Sequence, residues 1–334
     1  MRLGRRADKG PQCLLAAAQM IVGRLELMSR LSWFDLPISL RRLVEQQLGS
    51  PVATASSQAS GFSPGSADRI VLGDGRRVFI KAVSAAANPD SINIDRREAR
   101  VLGLLPDGLP CAKLLGLVDT GDWVALILED VDGHQPTWIG AELDSVLDAV
   151  RQLAQVSIPT GQLPSLEQAI ADDFAGWLKT DITKLPYDPA TNAWVAGHLH
   201  ELADYAAEGV RRCAGGGLVH GDLRADNILI REDGHAVIVD WPWAQFGSAW
   251  FDPVSLLINV LLLRSDIDID KVLASHPVFT GMPEGTAEAL FSGLAAYFTY
   301  EATLPAVPGI SGLRDFQREQ GAVTLGWLRH RINS

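Results

Sequence analysis

The chain has 334 residues and carries 40 Asp and Glu against 29 Lys and Arg, a formal charge of −11. That acidity argues against a general nucleic-acid binder, which needs a basic face to neutralise phosphates; a hydrophobic fraction of 47% is that of an ordinary globular protein, and 31 Gly and 18 Pro are together too few for a low-complexity chain. The length exceeds the roughly 250–300 residues at which a single core stops growing, so two units are expected.

Residues 1–34 read as an N-terminal extension. Arg2, Arg5, Arg6 and Lys9 precede an apolar stretch over 13–23, as in a signal peptide, but Gln19 interrupts it and no small-x-small cleavage site follows. A flexible leader, or translation beginning at Met28, is the expectation. A helix should follow, capped by Asp35, with Pro37 in its first turn and Leu40, Leu43, Val44 and Leu48 at helical spacing until Gly49 stops it. Strands are expected over Val52–Ala59, Asp68–Leu72 and Arg77–Val83, the last two joined through Gly73-Asp74-Gly75. A helix over Ile94–Leu105 and strands over Lys113–Val118 and Asp122–Glu129 complete the first unit, an antiparallel sheet with one inserted helix.

The second unit reads as mainly helical, with helices over Ala141–Val156, Leu166–Thr180, Ala190–Cys213, Val254–Leu263, Thr286–Tyr300 and Leu313–Arg331. Its β-rich interruption is Ile228–Ile230 with Ala236–Val239, turning through Asp233-Gly234. Charge marks the boundary near Gly133–Pro136: residues 1–132 carry a net +1 and residues 133–334 a net −12. The units are therefore taken as 35–132 and 133–334. The longest uncharged apolar run, Pro253–Leu263, is about half of the roughly 20 residues a membrane-spanning helix needs, so no membrane partner is expected. Cys13, Cys111 and Cys213 are odd in number and far apart, fitting neither a disulfide framework nor a zinc site, and pointing to a reducing cytoplasm.

The informative stretch is Leu218-Val219-His220-Gly221-Asp222-Leu223-Arg224-Ala225-Asp226-Asn227-Ile228-Leu229-Ile230, followed by Val237-Ile238-Val239-Asp240-Trp241. Apolar flanks anchor a hairpin in the core and leave Asn227 and Asp240 side by side at strand ends, as oxygen ligands for a hard cation. Mg²⁺ usually takes only one or two protein oxygens and completes its octahedron with water and phosphate. Asp222, on the adjoining loop, can accept a proton from a hydroxyl.

These residues resemble the catalytic loop and metal site of the aminoglycoside phosphotransferase family, relatives of protein kinases with a His-Gly-Asp-x-x-x-x-Asn loop and a following Asp-Trp or Asp-Phe. The resemblance covers about residues 50–330. It implies a bilobal, protein-kinase-like α+β fold, with a nucleotide-binding antiparallel N-lobe and an α-helical C-lobe holding the catalytic loop and acceptor site. It also implies ATP and Mg²⁺ as cofactors, Asp222 as catalytic base, and Asn227 and Asp240 as metal ligands.

Upstream, Lys81 in Val78-Phe79-Ile80-Lys81 resembles the strand lysine that grips the α- and β-phosphates. Glu98, seventeen residues later, can be its helix partner, although Arg96, Arg97 and Arg100 offer other partners. Gly61, Ser63 and Gly65 occupy the place of the phosphate-covering loop, without any G-x-G-x-x-G or Walker A pattern. Glu129 and Val131 fall at the unit boundary, where a kinase-like fold pairs adenine with linker backbone. His220 is expected to brace the loop rather than react. Arg224 either stabilises charge on the transferred phosphoryl group or is a solvated loop arginine. Asp252 either buttresses the catalytic loop or caps the helix that follows.

Only a short Trp241–Gly247 segment follows Asp240, with no Ala-Pro-Glu, so a regulatory activation segment has no room and a small-molecule acceptor is favoured over a protein. The expected function is transfer of the γ-phosphoryl group to a hydroxyl of a small molecule. The alternatives are a nucleotide-binding scaffold without transfer activity, a protein kinase without a regulatory segment, or a kinase for another small alcohol such as choline or homoserine. The acidic second unit either draws in a cationic acceptor such as an aminosugar, through Asp172, Asp173 and Glu319 beside Phe174 and Trp177, or simply confers solubility.

Overall fold

The computed structural model describes residues 31–58, 65–86, 89–156, 159, 161–306 and 312–332. Residues 1–30 of the expected leader, and Gly61 and Ser63 of the expected phosphate loop, lie outside them.

A 3-10 turn over Trp33–Asp35 precedes α1 (Ile38–Leu48). Asp35 does not cap α1 as the sequence suggested. Its carboxylate instead accepts the Ser32 backbone N–H at 2.9 Å and hydroxyl at 2.7 Å, while Pro37 is the N-cap. Leu36 and Pro37 are extended, at ψ 149° and 134°, and so separate Asp35 from the helix. Leu40 and Val44 are buried, but Leu43 is exposed, which narrows the expected apolar stripe. Gly49 ends the helix in the left-handed conformation, at φ 70°.

Five strands follow in an antiparallel sheet: β1 (Val52–Ser57), β2 (Ser66–Leu72), β3 (Arg77–Ser84), β4 (Leu114–Asp119) and β5 (Trp123–Glu129), in the spatial order β1-β2-β3-β5-β4. The one inserted helix, α2 (Pro89–Leu102), starts five residues before the expected Ile94. Alternation along β3 divides the sheet into two faces. Val78, Ile80 and Ala82 pack with Trp33, Leu40 and Val44, and the intervening residues, Phe79 and Lys81 among them, point to the opposite face.

The helical unit comprises α3 (Glu142–Leu153), α4 (Leu166–Phe174), α5 (Gly176–Lys179), α6 (Pro189–Gly197) and α7 (Leu199–Arg212). The strands β6 (Gly217–Val219), β7 (Ile228–Ile230), β8 (Ala236–Ile238) and β9 (Gln245–Gly247) come next, and the helices α8 (Phe251–Leu263), α9 (Ile269–Ser275), α10 (Thr286–Ala302) and α11 (Leu313–Ile332) complete it. Two helices expected to be continuous are broken, at Ala175 and His198. The first break brings Gly176 against α10, where a Cβ would lie 2.3 Å from the Ala296 carbonyl oxygen. The β6–β9 ribbon and α9 were not expected, because three-residue strands and a seven-residue helix are too short to show a period.

α10 is buried nearly all round, between α7 and α11. The main hydrophobic cluster reaches from Ala99 on α2 and Leu126 and Leu128 on β5 to α3, α7, α8 and α10. The largest core thus runs beneath both units, whereas the α1 face of the sheet has a separate one.

Candidate active site

β6 delivers the chain to His220-Gly221-Asp222. β7 and β8 then pair with Ile228 opposite Ile238, and the Val239 N–H donates to the Asn227 carbonyl at 2.9 Å. This last bond closes the hairpin at the end where Asn227 and Asp240 stand. Asp240 has φ 69°, a left-handed backbone that non-glycine residues adopt at a cost. Its neighbours hold it there: Trp241 is fully buried with its indole N–H on the Ile238 carbonyl at 3.1 Å, and β9 pairs back onto β6.

His220 ties the loop to the hairpin. Its Nε2 lies 3.0 Å from the Val239 carbonyl, and its Nδ1 accepts the Asp222 N–H at 3.3 Å. A carbonyl only accepts, so the proton is on Nε2 and the ring is neutral. Burial lowers its pKa to about 4. Asp252, in the first turn of α8, accepts the backbone N–H groups of His220 at 2.6 Å and Gly221 at 3.0 Å. Gly221 itself has φ 79°, and a Cβ there would sit 2.7 Å from the Trp243 carbonyl oxygen.

Asp222 is buried beside Arg224, whose Nη1 donates to Asp222 Oδ1 at 2.8 Å while its Nε donates to Asp226 at 3.1 Å. Arg224 is only 7% exposed, which removes the solvated-loop reading. Burial pushes the Asp222 carboxyl up to about 7, although the Arg224 guanidinium pulls it the other way. A carboxylate with that affinity, held by Arg224 through Oδ1 and only loosely, at 3.4 Å, by the Asn227 amide through Oδ2, is suited to take a hydroxyl proton near neutrality. Asn227 donates its amide N–H to the Asp222 carbonyl at 2.8 Å and to Asp222 Oδ2 at 3.4 Å, so its own Oδ1 is the atom available to a cation.

From the sheet, the Lys81 ammonium donates to Glu98 on α2, at 2.9 Å and 3.2 Å, and to Asp240 Oδ1. Arg96 pairs with Asp119, and Arg97 lies over the Trp243 ring, 5.3 Å from its centre, so neither takes Glu98 from Lys81. Burial opposes charge on Lys81, yet the carboxylates of Asp240 and Glu98 raise its pKa. Burial acts upward on Asp240 as well, but the Lys81 ammonium holds it below the usual carboxylate range. A third carboxyl, Asp95, one turn before Glu98, is pushed up to about 7 by burial and by Glu98. The sequence reading missed it; its signal was the three-residue spacing from Glu98 on one helix face.

The remaining expected contacts are placed less simply. Gly65 is buried against β3, where a Cβ would lie 2.0 Å from the Ala82 carbonyl oxygen, so close strand packing already requires a glycine. The Glu129 carboxylate is engaged by Arg231 at 2.8 Å and by the Lys113 N–H at 3.3 Å. Val131 is buried against Ala112 and Val237, and its carbonyl accepts Arg69 at 3.0 Å.

Beside Asp222 lies a pocket of about 40 Å³ between the catalytic loop, α8, α10 and α11. Leu223, Phe251, Ile258, Leu294, Phe298 and Phe316 line it, together with Asn259, which accepts the Ala225 N–H at 3.1 Å, and Gln320. The acidic residues suggested for a cationic acceptor are elsewhere. Asp172 pairs with Lys179, Glu319 is exposed on α11, Asp173 is buried beneath α10, and Phe174 and Trp177 belong to the core. Nothing in the sequence pattern singled out Gln320 or Asn259.

Among the described residues no group of three or more His, Cys, Asp or Glu could hold a metal, and no helix is long and apolar enough to cross a membrane. One amide oxygen and one carboxylate, with Asp240 partly open at 32% side-chain exposure, fit a hard cation that takes its other oxygens from water and phosphate.

Residues 60–280 match the sequence profile of the phosphotransferase enzyme family. No curated protein matches the chain. Among solved structures, a thermostable mutant of aminoglycoside phosphotransferase APH(4)-Ia, in a ternary complex with AMP-PNP and hygromycin B, is 17% identical with a TM-score of 0.55, covering 89% of this chain and 98% of that one. Spectinomycin phosphotransferase APH(9)-Ia, complexed with ADP and spectinomycin, is 12% identical with a TM-score of 0.57, covering 89% and 100%. The choline kinase LicA from Streptococcus pneumoniae is 12% identical with a TM-score of 0.51, covering 86% and 99%. All three share the bilobal kinase-like fold.

Proposed function

Since this chain belongs to the phosphotransferase enzyme family, we propose that it moves the γ-phosphoryl group of ATP to a hydroxyl of a small molecule. One observation carries the reading: Lys81 and Glu98, from the sheet and its helix, meet Asp240 at the hairpin end that also holds Asn227, one loop away from Asp222. Complexes of the similar structures with AMP-PNP and ADP support an adenine nucleotide, and their hygromycin B and spectinomycin support a hydroxylated acceptor.

In this mechanism Lys81, oriented by Glu98, neutralises the nucleotide phosphates, and Asp222 takes the acceptor hydroxyl's proton as its oxygen attacks phosphorus. Asn227 and Asp240 would hold Mg²⁺, which when bound supplies positive charge to the phosphate oxygens. Arg224 holds Asp222 Oδ1 at 2.8 Å, and Oδ2, only loosely held by the Asn227 amide at 3.4 Å, is the oxygen that faces the acceptor hydroxyl in this reading. His220 and Asp252 keep the loop in place. Such catalysis is mostly positioning and charge stabilisation, and needs few reacting side chains. The test is ADP release by the purified chain with ATP and Mg²⁺, offered hydroxylated acceptors one at a time. Acceptor-dependent release is expected, and its absence with every acceptor, together with phosphorylation of protein substrates, would overturn the reading.

A further inference from the structure

The pocket beside Asp222 narrows the acceptor. Its volume of about 40 Å³ admits only a small projecting arm, since one water needs roughly 10–15 Å³ by this measure. Its charged lining groups, Asp222 and Arg224, are paired with each other at 2.8 Å, and six apolar side chains make up most of the remaining wall. An ammonium entering there would lose its hydration and meet a single carboxylate, Asp222, whose charge the Arg224 guanidinium already balances. At the side formed by α11, Gln320 is 4% exposed and its Nε2 has no hydrogen-bond partner. Buried amide groups are almost always satisfied, so an unpartnered one in a pocket wall calls for an oxygen from a ligand.

We propose that the pocket receives the hydroxyl-bearing arm of an uncharged, largely apolar alcohol, and that Gln320 fixes it by donating to an ether, carbonyl or second hydroxyl oxygen of that acceptor. This rests on the phosphotransferase reading and specifies the substrate class for the same site. In the transfer the acceptor oxygen forms the new O–P bond, its proton passes to Asp222, and the Pγ–O bond to the β-phosphate breaks with its electron pair leaving on ADP. The arm is sterically suited to a primary hydroxyl, because a ring carrying a secondary one would not enter with its neighbours. Cationic groups, where an acceptor has them, stay outside the pocket and gain nothing from it.

The experiment uses the full chain with ATP and Mg²⁺ and follows two signals for each probe: ADP release, and saturation-transfer NMR of the probe itself. The probes are 2-phenoxyethanol, hydroxyacetone and 2-methylpropan-1-ol as neutral primary alcohols, against choline, spectinomycin and hygromycin B as cations. The neutral set is expected to show at least tenfold higher kcat/KM, with the oxygen-bearing members ahead of 2-methylpropan-1-ol. Gln320→Leu should raise the KM for 2-phenoxyethanol about 5–30-fold with little change in kcat, and should abolish its advantage over 2-methylpropan-1-ol. Gln320→Glu, which puts a charge in the wall, should shift preference towards choline. Faster turnover of the cations, unaffected by Gln320→Leu, would overturn the pocket assignment and keep the phosphotransferase. NMR binding of the neutral probes that Gln320→Leu weakens, without ADP release, would keep the pocket and overturn the transfer reaction. Neither binding nor release of any kind would overturn both.

Discussion

Asp222 concentrates the chemistry expected of this protein, and its surroundings say how it should behave. Burial raises its pKa to about 7, and a base must be ionised to accept a proton. The rate is therefore expected to rise about tenfold per pH unit below roughly pH 7 and to level off above it. A pH–rate profile checks this, and a flat profile between pH 5.5 and 8 would contradict the assignment. Asp222→Ala should lower turnover roughly 10²–10⁴-fold, the usual scale for a positioned acid–base group, with nucleotide affinity retained in a binding titration. Undiminished turnover would remove Asp222 from the mechanism. This part of the site was legible because His220, Asp222, Asn227 and Asp240 lie within 21 consecutive residues whose apolar flanks specify a hairpin. Arg224 was ambiguous, since only its burial and its two carboxylate partners distinguish a buried clasp from a solvated side chain.

Among the elements, α8 and α2 hold the catalytic segments from outside. Asp252 on α8 satisfies two backbone N–H groups of the loop. Asp252→Ala should orphan both, at about 1–3 kcal/mol for each buried group left unsatisfied, and urea unfolding would report the loss. A variant as stable as the parent would show that water or loop movement replaces the carboxylate. α2 presents Glu98 to Lys81, and Glu98→Gln should weaken nucleotide binding or turnover more than stability, because a neutral amide remains to fill the space. Equal nucleotide KM and kcat in that variant would argue against an orienting role. Strand positions and the β2–β3 turn followed from alternation and the Gly-Asp-Gly signal. The helix breaks at Ala175 and His198 did not, because they answer to packing against α10 and to local geometry that no period records.

For the whole molecule, buried titratable groups set a pH dependence of stability. Asp95 and Asp222 are raised to about 7 and Asp252 to about 6. These carboxyls keep protons in the folded chain that the unfolded chain has already released. Their contribution is fully present at low pH and is lost as pH rises through the folded pKa values. His220, lowered to about 4, acts oppositely: the unfolded chain protonates it first, so folding loses stability as pH falls below the usual histidine range. Three carboxyls outweigh one imidazole, so the Tm of the nucleotide-free protein is expected to fall from pH 5.5 to pH 8. A thermal-melt series checks the sign, and a Tm that climbs steadily over that range would show that these carboxyls are ionised in the folded state.

The sequence alone determined the loop from His220 to Asn227, the hairpin with Asn227 and Asp240 at its end, the order of Lys81, Glu98, Asp222, Asn227 and Asp240, and the division into a sheet and a helical unit. Each of these is written in local spacing or in a period of two or three to four residues. Only the tertiary structure decided that Arg224 is buried and that an apolar pocket with Gln320 in its wall lies beside Asp222. Those facts join residues up to about a hundred positions apart in the chain, and they depend on which helix faces pack together. Packing of that kind leaves the intervening sequence free and therefore leaves no pattern in it.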